Sequence, residues 1–142
     1  MLTYELQVEI NRLYGVLNSY SASKQKAEKE QKELIRVIDK LSMKTREIEQ
    51  GLQTTLETID RRLRRVNPQS RFPEMYYETA KKTLYNSNSA KALQMTRDSI
   101  ESAKKKCVEY DEKIHSLNVK INQTEAEIAQ MKIKQAEAYN DE

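Results

Sequence analysis

The 142-residue chain has no tryptophan and only one phenylalanine, two glycines, two prolines, one cysteine and one histidine. So few bulky side chains, beside 33% charged residues, exclude a thick globular core. A single cysteine excludes an internal disulfide framework, and a single histidine excludes a conventional zinc cluster within one chain. These absences favour a thin helical bundle, and we expect neither a metal nor another cofactor.

Charge and hydropathy limit the partners of the chain. The 25 basic and 22 acidic residues give a formal net charge of +3, and the two signs are interleaved. This balance is typical of solvated helix faces rather than of a nucleic-acid binder. No run approaches the roughly 18 apolar residues of a membrane span, and residues 1–6 lack the features of a signal peptide. We therefore expect a cytoplasmic protein that binds no nucleic acid, does not insert into membranes, and is exported, if at all, without a conventional signal peptide.

A seven-residue repeat dominates residues 6–66, where core positions recur at alternating steps of three and four. Because a strand requires a period of two, this pattern predicts a long helix that winds against another helix, roughly 90 Å in length. In heptad notation the a positions are Ile10, Leu17, Lys24, Gln31, Ile38, Thr45, Leu52, Ile59 and Val66. The d positions are Leu6, Leu13, Tyr20, Ala27, Leu34, Leu41, Ile48, Thr55 and Arg62.

A second repeat of the same kind fills residues 90–139. Its a positions are Leu93, Ile100, Cys107, Ile114, Ile121, Ile128 and Gln135, and its d positions are Thr96, Ala103, Tyr110, Leu117, Thr124, Met131 and Ala138. Almost no apolar residue flanks this seam. We therefore expect the second long helix to pair with the first.

Two breaks separate the repeats. Asn67 and Pro68 end the first helix, Pro73 suits the first position of a short helix, and residues 86–89 are rich in helix-capping side chains. We predict one all-α domain over residues 1–142, with a helix at about 2–65, a turn at 66–72, a short helix at about 73–85, a break at 86–89 and a helix at about 90–139. The fold would be a long antiparallel helical hairpin, a coiled coil with a short extra helix in its broken return arm. A turn centred near Gln69 would set Gln31 level with Cys107.

The short helix should pack through one stripe of side chains. Its spacing predicts a stripe formed by Phe72, Tyr76, Ala80 and Leu84, with Tyr77 beside it. The surplus apolar surface at Leu56 and Leu63 is the expected target.

The first seam is interrupted between Tyr20 and Leu34, where Lys24, Ala27 and Gln31 take core positions. Two interpretations stay open, a locally loose coiled coil and a device that fixes register or binds a partner. Gly15 and Gly51 each cost about 1 kcal/mol relative to alanine in a helix interior. Gly51 lies beside the seam, where it would permit close backbone approach.

Apolar residues also lie beside the first seam. Tyr14, Ile35, Leu56 and Leu63 occupy e positions, and Val16 and Val37 occupy g positions. A helix that faces one partner needs only a and d. The surplus predicts a third helix, from this chain or another, and the candidate partner-binding residues are Tyr14, Val16, Ile35 and Val37.

No set of residues predicts catalysis. Cys107 lies in the second seam as a small thiol, His115 lies on the exposed side, and narrow seams offer no dry pocket for a nucleophile, base or metal. Four arginines end the first helix and complement its dipole, and they are Arg61, Arg62, Arg64 and Arg65. Together with Arg71 they form a candidate phosphate-binding patch. We expect a protein that is not an enzyme.

A small helical hairpin with a polar break between long arms resembles the W-x-G superfamily of Gram-positive type VII secretion, and within it the small companions of toxins with LXG domains. The family's Trp-X-Gly turn is replaced at residues 66–72 by VNPQSRF, and the tail at 139–142, YNDE, is similar to a short form of the tyrosine and acidic export signal. The resemblance implies an adaptor or targeting chaperone that binds the helical domain of a toxin, beside a second small helical protein. It implies no functional residue.

The heptads alone also fit a self-associating structural coiled-coil spacer or assembly protein. Such a protein would use the same seams between chains, as a homodimer for example. The matched lengths of the two arms and the break after Val66 favour pairing within one chain.

Overall fold

The computed structural model describes residues 3–66 and 72–141. Over these residues it contains three helices, α1 (Thr3–Val66), α2 (Phe72–Tyr85) and α3 (Asn88–Asp141), and no strand. The all-α class is confirmed, and each helix begins and ends within two residues of its predicted bounds. The predicted turn at 66–72 falls almost entirely outside the described residues, as does Arg71.

The chain divides into two compact units. The first unit comprises Met1–Leu34 and Lys106–Glu142, and the second comprises Ile35–Lys105. The first unit therefore combines the beginning of α1 with the end of α3, and the second contains the end of α1, α2 and the beginning of α3.

In the first unit, α1 and α3 pair in antiparallel orientation. Near the start of α1, Gln7 Oε1 accepts a 2.8 Å hydrogen bond from Nε2 of Gln135. Farther along α1, Glu30 Oε2 accepts a 2.8 Å hydrogen bond from the hydroxyl of Tyr110. Because later residues of α1 contact earlier residues of α3, the two helices run in opposite directions, as the predicted hairpin requires.

The core of the first unit lies along the predicted seams. Its buried residues all occupy a or d positions, and they are Leu6, Ile10, Leu13, Ala27, Leu117, Thr124 and Ile128. The hydroxyl of Thr124 donates a 2.8 Å hydrogen bond to the carbonyl of Lys120, so its burial leaves no unpaired polar atom. Full burial of each leucine or isoleucine contributes about 1.5–3 kcal/mol to the free energy of folding, so the seam is the main source of stability here.

In the second unit, the seam of α1 departs from the predicted register. Thr55 and Arg62, predicted at d positions, are exposed, whereas Leu56 is buried and Leu63 is half-buried. Core positions follow two consecutive steps of four, from Ile48 through Leu52 to Leu56, which is the insertion called a stutter in coiled coils. The prediction for Thr55 and Arg62 was wrong because the leucines remove more apolar area from water.

The short helix α2 covers part of the predicted stripe and differs from it at the tyrosines. Tyr77, Ala80 and Leu84 are half-buried, whereas Tyr76 is exposed, and the side chain of Phe72 lies outside the described part of the chain. Among the described side chains, the stripe therefore includes Tyr77 instead of Tyr76. Tyr85 lines a groove together with Leu56, so the end of α2 lies near one of the two leucines that were its expected target, and packing of the stripe itself on these leucines stays a prediction.

The break between α2 and α3 is a capped turn. The backbone amides of Asn86 and Ser87 donate to the carbonyls of Lys82 and Leu84, at 3.0 and 3.1 Å. The hydroxyl oxygen of Ser87 accepts a 3.3 Å hydrogen bond from the amide of Ala90, three residues on, which is the geometry of an N-cap. The predicted capping role of this break is confirmed.

Within residues 3–66 and 72–141, no helix is long and apolar enough to cross a membrane.

Candidate partner-binding surface

Two of the four candidate residues, Tyr14 and Val16, lie on α1 in the first unit. Tyr14 is exposed and Val16 is half-buried. The ammonium of Lys132 on α3 lies 5.2 Å from the centroid of the Tyr14 ring, a cation–π contact. Because residues two apart on a helix do not face each other, Tyr14 and Val16 flank the seam on opposite sides.

The other two candidates, Ile35 and Val37, lie on α1 in the second unit. Their side chains are 45% and 48% exposed, whereas Ile38 and Leu41 in the seam are half-buried. The same spacing of two sets Ile35 and Val37 on opposite flanks. The four candidates therefore supply one apolar residue to each flank of α1 in each unit, and their role in partner binding stays a prediction.

Ile35 and Val37 offer apolar surface and no polar or charged group to a partner. Helix-in-groove recognition uses apolar side chains at steps of three and four. Ile38 follows Ile35 by three residues and Leu41 follows Val37 by four, so each candidate has an apolar neighbour in the seam. The free energy available is modest, since full burial of one such side chain contributes about 1.5–3 kcal/mol and these are already half-covered.

The interrupted part of the seam holds polar contacts between α1 and α3. Nε2 of Gln31 donates to the backbone carbonyl of Cys107 at 3.2 Å and to Oδ1 of Asp111 at 2.6 Å. Ala27 is buried one turn earlier, and Tyr110 reaches past it to Glu30. Gln31 therefore lies level with Cys107, as predicted. Of the two interpretations of the interrupted seam, these contacts favour polar residues that fix the register over a loose coiled coil.

The hydrogen bond between Tyr110 and Glu30 also has an electrostatic effect. It raises the pKa of Tyr110 above its ordinary value of 10.0, and partial burial of the phenol adds to the shift. The cause is that the Glu30 carboxylate accepts a hydrogen bond from the protonated phenol and would repel a phenolate. The contact therefore holds only while Tyr110 is protonated.

An open groove of about 640 Å³ runs along the second unit between α1 and α3. Leu52, Leu56 and Leu93 form its apolar floor, and its rim includes Tyr85. The one carboxylate on its lining, Glu49, is paired with Arg97. This groove offers apolar contact and amide hydrogen bonds to a ligand, and its only acidic group is already engaged.

Neither Cys107 nor His115 belongs to a reactive cluster. The thiol of Cys107 is free and half-buried in the seam, as its heptad position predicts, and His115 is exposed. Among the described residues, no group of three or more His, Cys, Asp or Glu side chains is placed to hold a metal ion.

The arginines near the end of α1 are exposed. Arg64 donates from Nε to both carboxylate oxygens of Asp60, at 3.0 and 3.1 Å, so an acidic neighbour already neutralises part of the cluster. The other described arginines of the candidate phosphate-binding patch are Arg61, Arg62 and Arg65. Their position in the last turns suits them to the negative end of the helix dipole.

Comparison of the chain with models of protein families, with curated proteins and with solved structures gave no match.

Proposed function

We propose that this protein is a non-catalytic helical adaptor or targeting chaperone that binds another helical protein through the apolar flanks of α1. One observation carries the proposal: Ile35 and Val37 remain about half exposed although α1 already pairs with α3 in the same unit. A helix with a single partner has no need of apolar residues outside its a and d positions. A further helix laid along either flank would remove this surface from water.

The resemblance to the small companions of LXG toxins supplies the class of partner. In this proposal, the partner is the helical targeting domain of a type VII secretion toxin, accompanied by a second small helical protein. The adaptor binds the toxin in the cytoplasm and delivers it to the secretion machinery or leaves the cell with it. The support for this step is the likeness of the predicted hairpin, and no motif residue contributes to it.

Affinity capture with a matched pair of variants tests the proposal. The tagged wild-type chain, Val37→Asp and Val8→Asp are each used to capture proteins from extracts of the source organism, followed by identification by mass. Val8 and Val37 are both on α1 and are 51% and 48% exposed, so the two substitutions are equivalent in chemistry and exposure. We expect the wild type and Val8→Asp to capture one helical protein in stoichiometric amount, and Val37→Asp to lose it.

Ile35→Asp provides the second arm, because Ile35 lies on the opposite flank of α1. Loss of the partner with only one of the two variants would identify the flank that binds. Circular dichroism should show that all variants keep the helicity of the wild type. Undiminished capture by both Val37→Asp and Ile35→Asp would contradict the proposal.

A further inference from the structure

The outer face of α3 in the first unit is free of formal charge over residues 115–140, although 33% of the whole chain is charged. The face consists of the heptad b and f positions, which normally carry charged residues. They lie on the side of α3 opposite the a and d positions that pack against α1. All of its members are exposed. We call this set the outer row of α3: His115, Val119, Asn122, Ala126, Ala129, Ile133, Ala136 and Asn140.

The outer row has the spacing of a second helix-pairing seam. Its members recur at alternating steps of four and three, the same repeat that pairs α1 with α3. Its two branched aliphatic residues, Val119 and Ile133, flank the alanines Ala126 and Ala129 at the centre. Small residues at the centre permit close approach of a second helix, and the row is long enough, at roughly 38 Å, to hold one.

We propose that the occupant is a second copy of this chain, whose α3 packs antiparallel on the outer row about a two-fold axis. Such a contact uses the same surface on both copies. With Ala126 of one copy opposite Ala129 of the other, Val119 lies opposite Ala136 and Ile133 opposite Asn122. The larger apolar side chains thus face smaller ones, and the buried amide of Asn122 limits alternative registers as polar core residues do in coiled coils.

Charge complementarity favours this register over its neighbours. Glu125 and Lys132 flank the outer row on one side, and in this register Glu125 of each copy lies beside Lys132 of the other, which gives two reciprocal ion pairs. A shift by one heptad in one direction sets Lys132 of one copy beside Lys132 of the other. A shift by one heptad in the opposite direction sets the two copies of Glu125 side by side. Like charges in flanking positions oppose association, so only the central register is free of repulsion.

Both charged residues are available for such pairs. The ion pairs within the described residues do not include Glu125. The ammonium of Lys132 lies 5.2 Å from the centroid of the Tyr14 ring on α1, and rotation of the lysine side chain exchanges this exposed contact for an ion pair with Glu125 of the second copy.

The outer face of α1 in the first unit is the competing surface. Its exposed b and f positions are also uncharged over residues 4–22, and they are Tyr4, Val8, Asn11, Gly15, Asn18 and Ala22. Antiparallel pairing of two such faces in full overlap sets Arg12 beside Arg12 of the other copy. This face therefore lacks the reciprocal ion pairs of the outer row of α3.

Sedimentation velocity of the full chain over a range of concentrations tests the proposal. We expect a reversible monomer–dimer equilibrium for the wild type and a monomer for Ile133→Asp. The matched control is Val108→Asp, since Val108 is on the same helix outside the outer row and is 56% exposed, against 60% for Ile133. Val108→Asp should dimerise like the wild type, and both variants should keep the wild-type helicity and, at concentrations at which all three proteins are monomeric, its melting temperature.

A charge exchange tests the register. Glu125→Lys or Lys132→Glu alone sets like charges side by side and should weaken dimerisation by about tenfold or more, whereas the double exchange restores it. Four results would overturn the proposal: a monomeric wild type at all concentrations, a dimer that persists in Ile133→Asp, absence of rescue by the double exchange, or masses that grow beyond a dimer through head-to-tail contacts.

Discussion

Gln31 on α1 and Asp111 on α3 are joined by a 2.6 Å hydrogen bond from Nε2 to Oδ1, although 80 residues separate them in the chain. The same nitrogen donates to the carbonyl of Cys107, one turn away on α3. Gln31 therefore contacts two successive turns of α3 from a core position. A one-heptad slip of α3 would replace Asp111 by Lys104, which has no acceptor, or by Asn118, whose neutral amide is a weaker acceptor than a carboxylate, so the pair favours the observed register of the first unit.

Gln31→Leu should raise the melting temperature and loosen the register. A polar core residue in a coiled coil specifies register at a cost in stability, and Asp111 is exposed, so water can replace its lost partner. We expect a gain of up to about 1 kcal/mol in the free energy of unfolding. Thermal melting followed by circular dichroism measures it, with the exposed Gln25→Leu as the control for helix propensity. A lower melting temperature for Gln31→Leu than for the control would show that the hydrogen bonds contribute net stability.

Leu56→Ala and Thr55→Ala together test the shifted register of α1 in the second unit. Leu56 is 3% exposed, whereas its neighbour Thr55 is exposed and its hydroxyl donates back to the carbonyl of Gly51. We expect Leu56→Ala to cost about 2–5 kcal/mol in urea unfolding. Thr55→Ala should change stability by less than about 1 kcal/mol, because alanine has the higher helix propensity. A larger loss of stability in Thr55→Ala than in Leu56→Ala would contradict the shifted register and support the uninterrupted heptad.

Gly15→Ala and Gly51→Ala should each stabilise the protein by about 1 kcal/mol. A Cβ atom built at either glycine meets no described side chain or neighbouring helix within 4 Å, and neither has a positive φ. The close backbone approach predicted at Gly51 is therefore absent from the described residues. Chemical denaturation of each variant measures the gain, and a loss of stability at either position would reveal a contact that alanine obstructs.

The contact between Tyr110 and Glu30 predicts a pH dependence at the alkaline end. Because the pKa of Tyr110 is raised in the folded chain, the folded state retains the phenolic proton after the unfolded chain begins to lose it. The stabilisation is complete below the ordinary pKa of 10.0 and is lost as the pH rises through the folded pKa. Tyr110→Phe should lack this step, while the titration of lysines affects both proteins alike. Urea midpoints measured from about pH 9 to pH 12 should therefore converge between the two proteins, and parallel curves would exclude the coupling.

The sequence predicted the parts of the fold that depend on local spacing. Every a and d position of α3 from Leu93 to Ala138 is buried or half-buried, because a heptad is a property of one segment. The change of register at Leu56 was missed because two overlapping patterns of leucines were available on α1. The choice between them depends on what α2 and α3 cover, and spacing along α1 contains no information on that.

The candidate surface was predicted only in part, for a different reason. Tyr14, Val16, Ile35 and Val37 were selected as surplus apolar residues, although the spacing of two within each pair already implied opposite flanks. The outer row of α3 was missed because alanine and asparagine do not register in a search for apolar periodicity. The available signal was the absence of charge at successive b and f positions.

The pairing of α1 with α3 within one chain underlies both proposals, because it leaves the flanks of α1 and the outer row of α3 for other proteins. The most direct test introduces Gln7→Cys and Gln135→Cys together, with Cys107→Ser, and joins them with a short bismaleimide. Gln7 and Gln135 are in direct contact, whereas a Gln7→Cys, Gln123→Cys control sets the second cysteine about 18 Å farther along α3. We predict rapid linkage within single chains for the first pair, independent of protein concentration, and little for the control. Covalent dimers whose yield increases with concentration would contradict the account, because they would place the seam between chains.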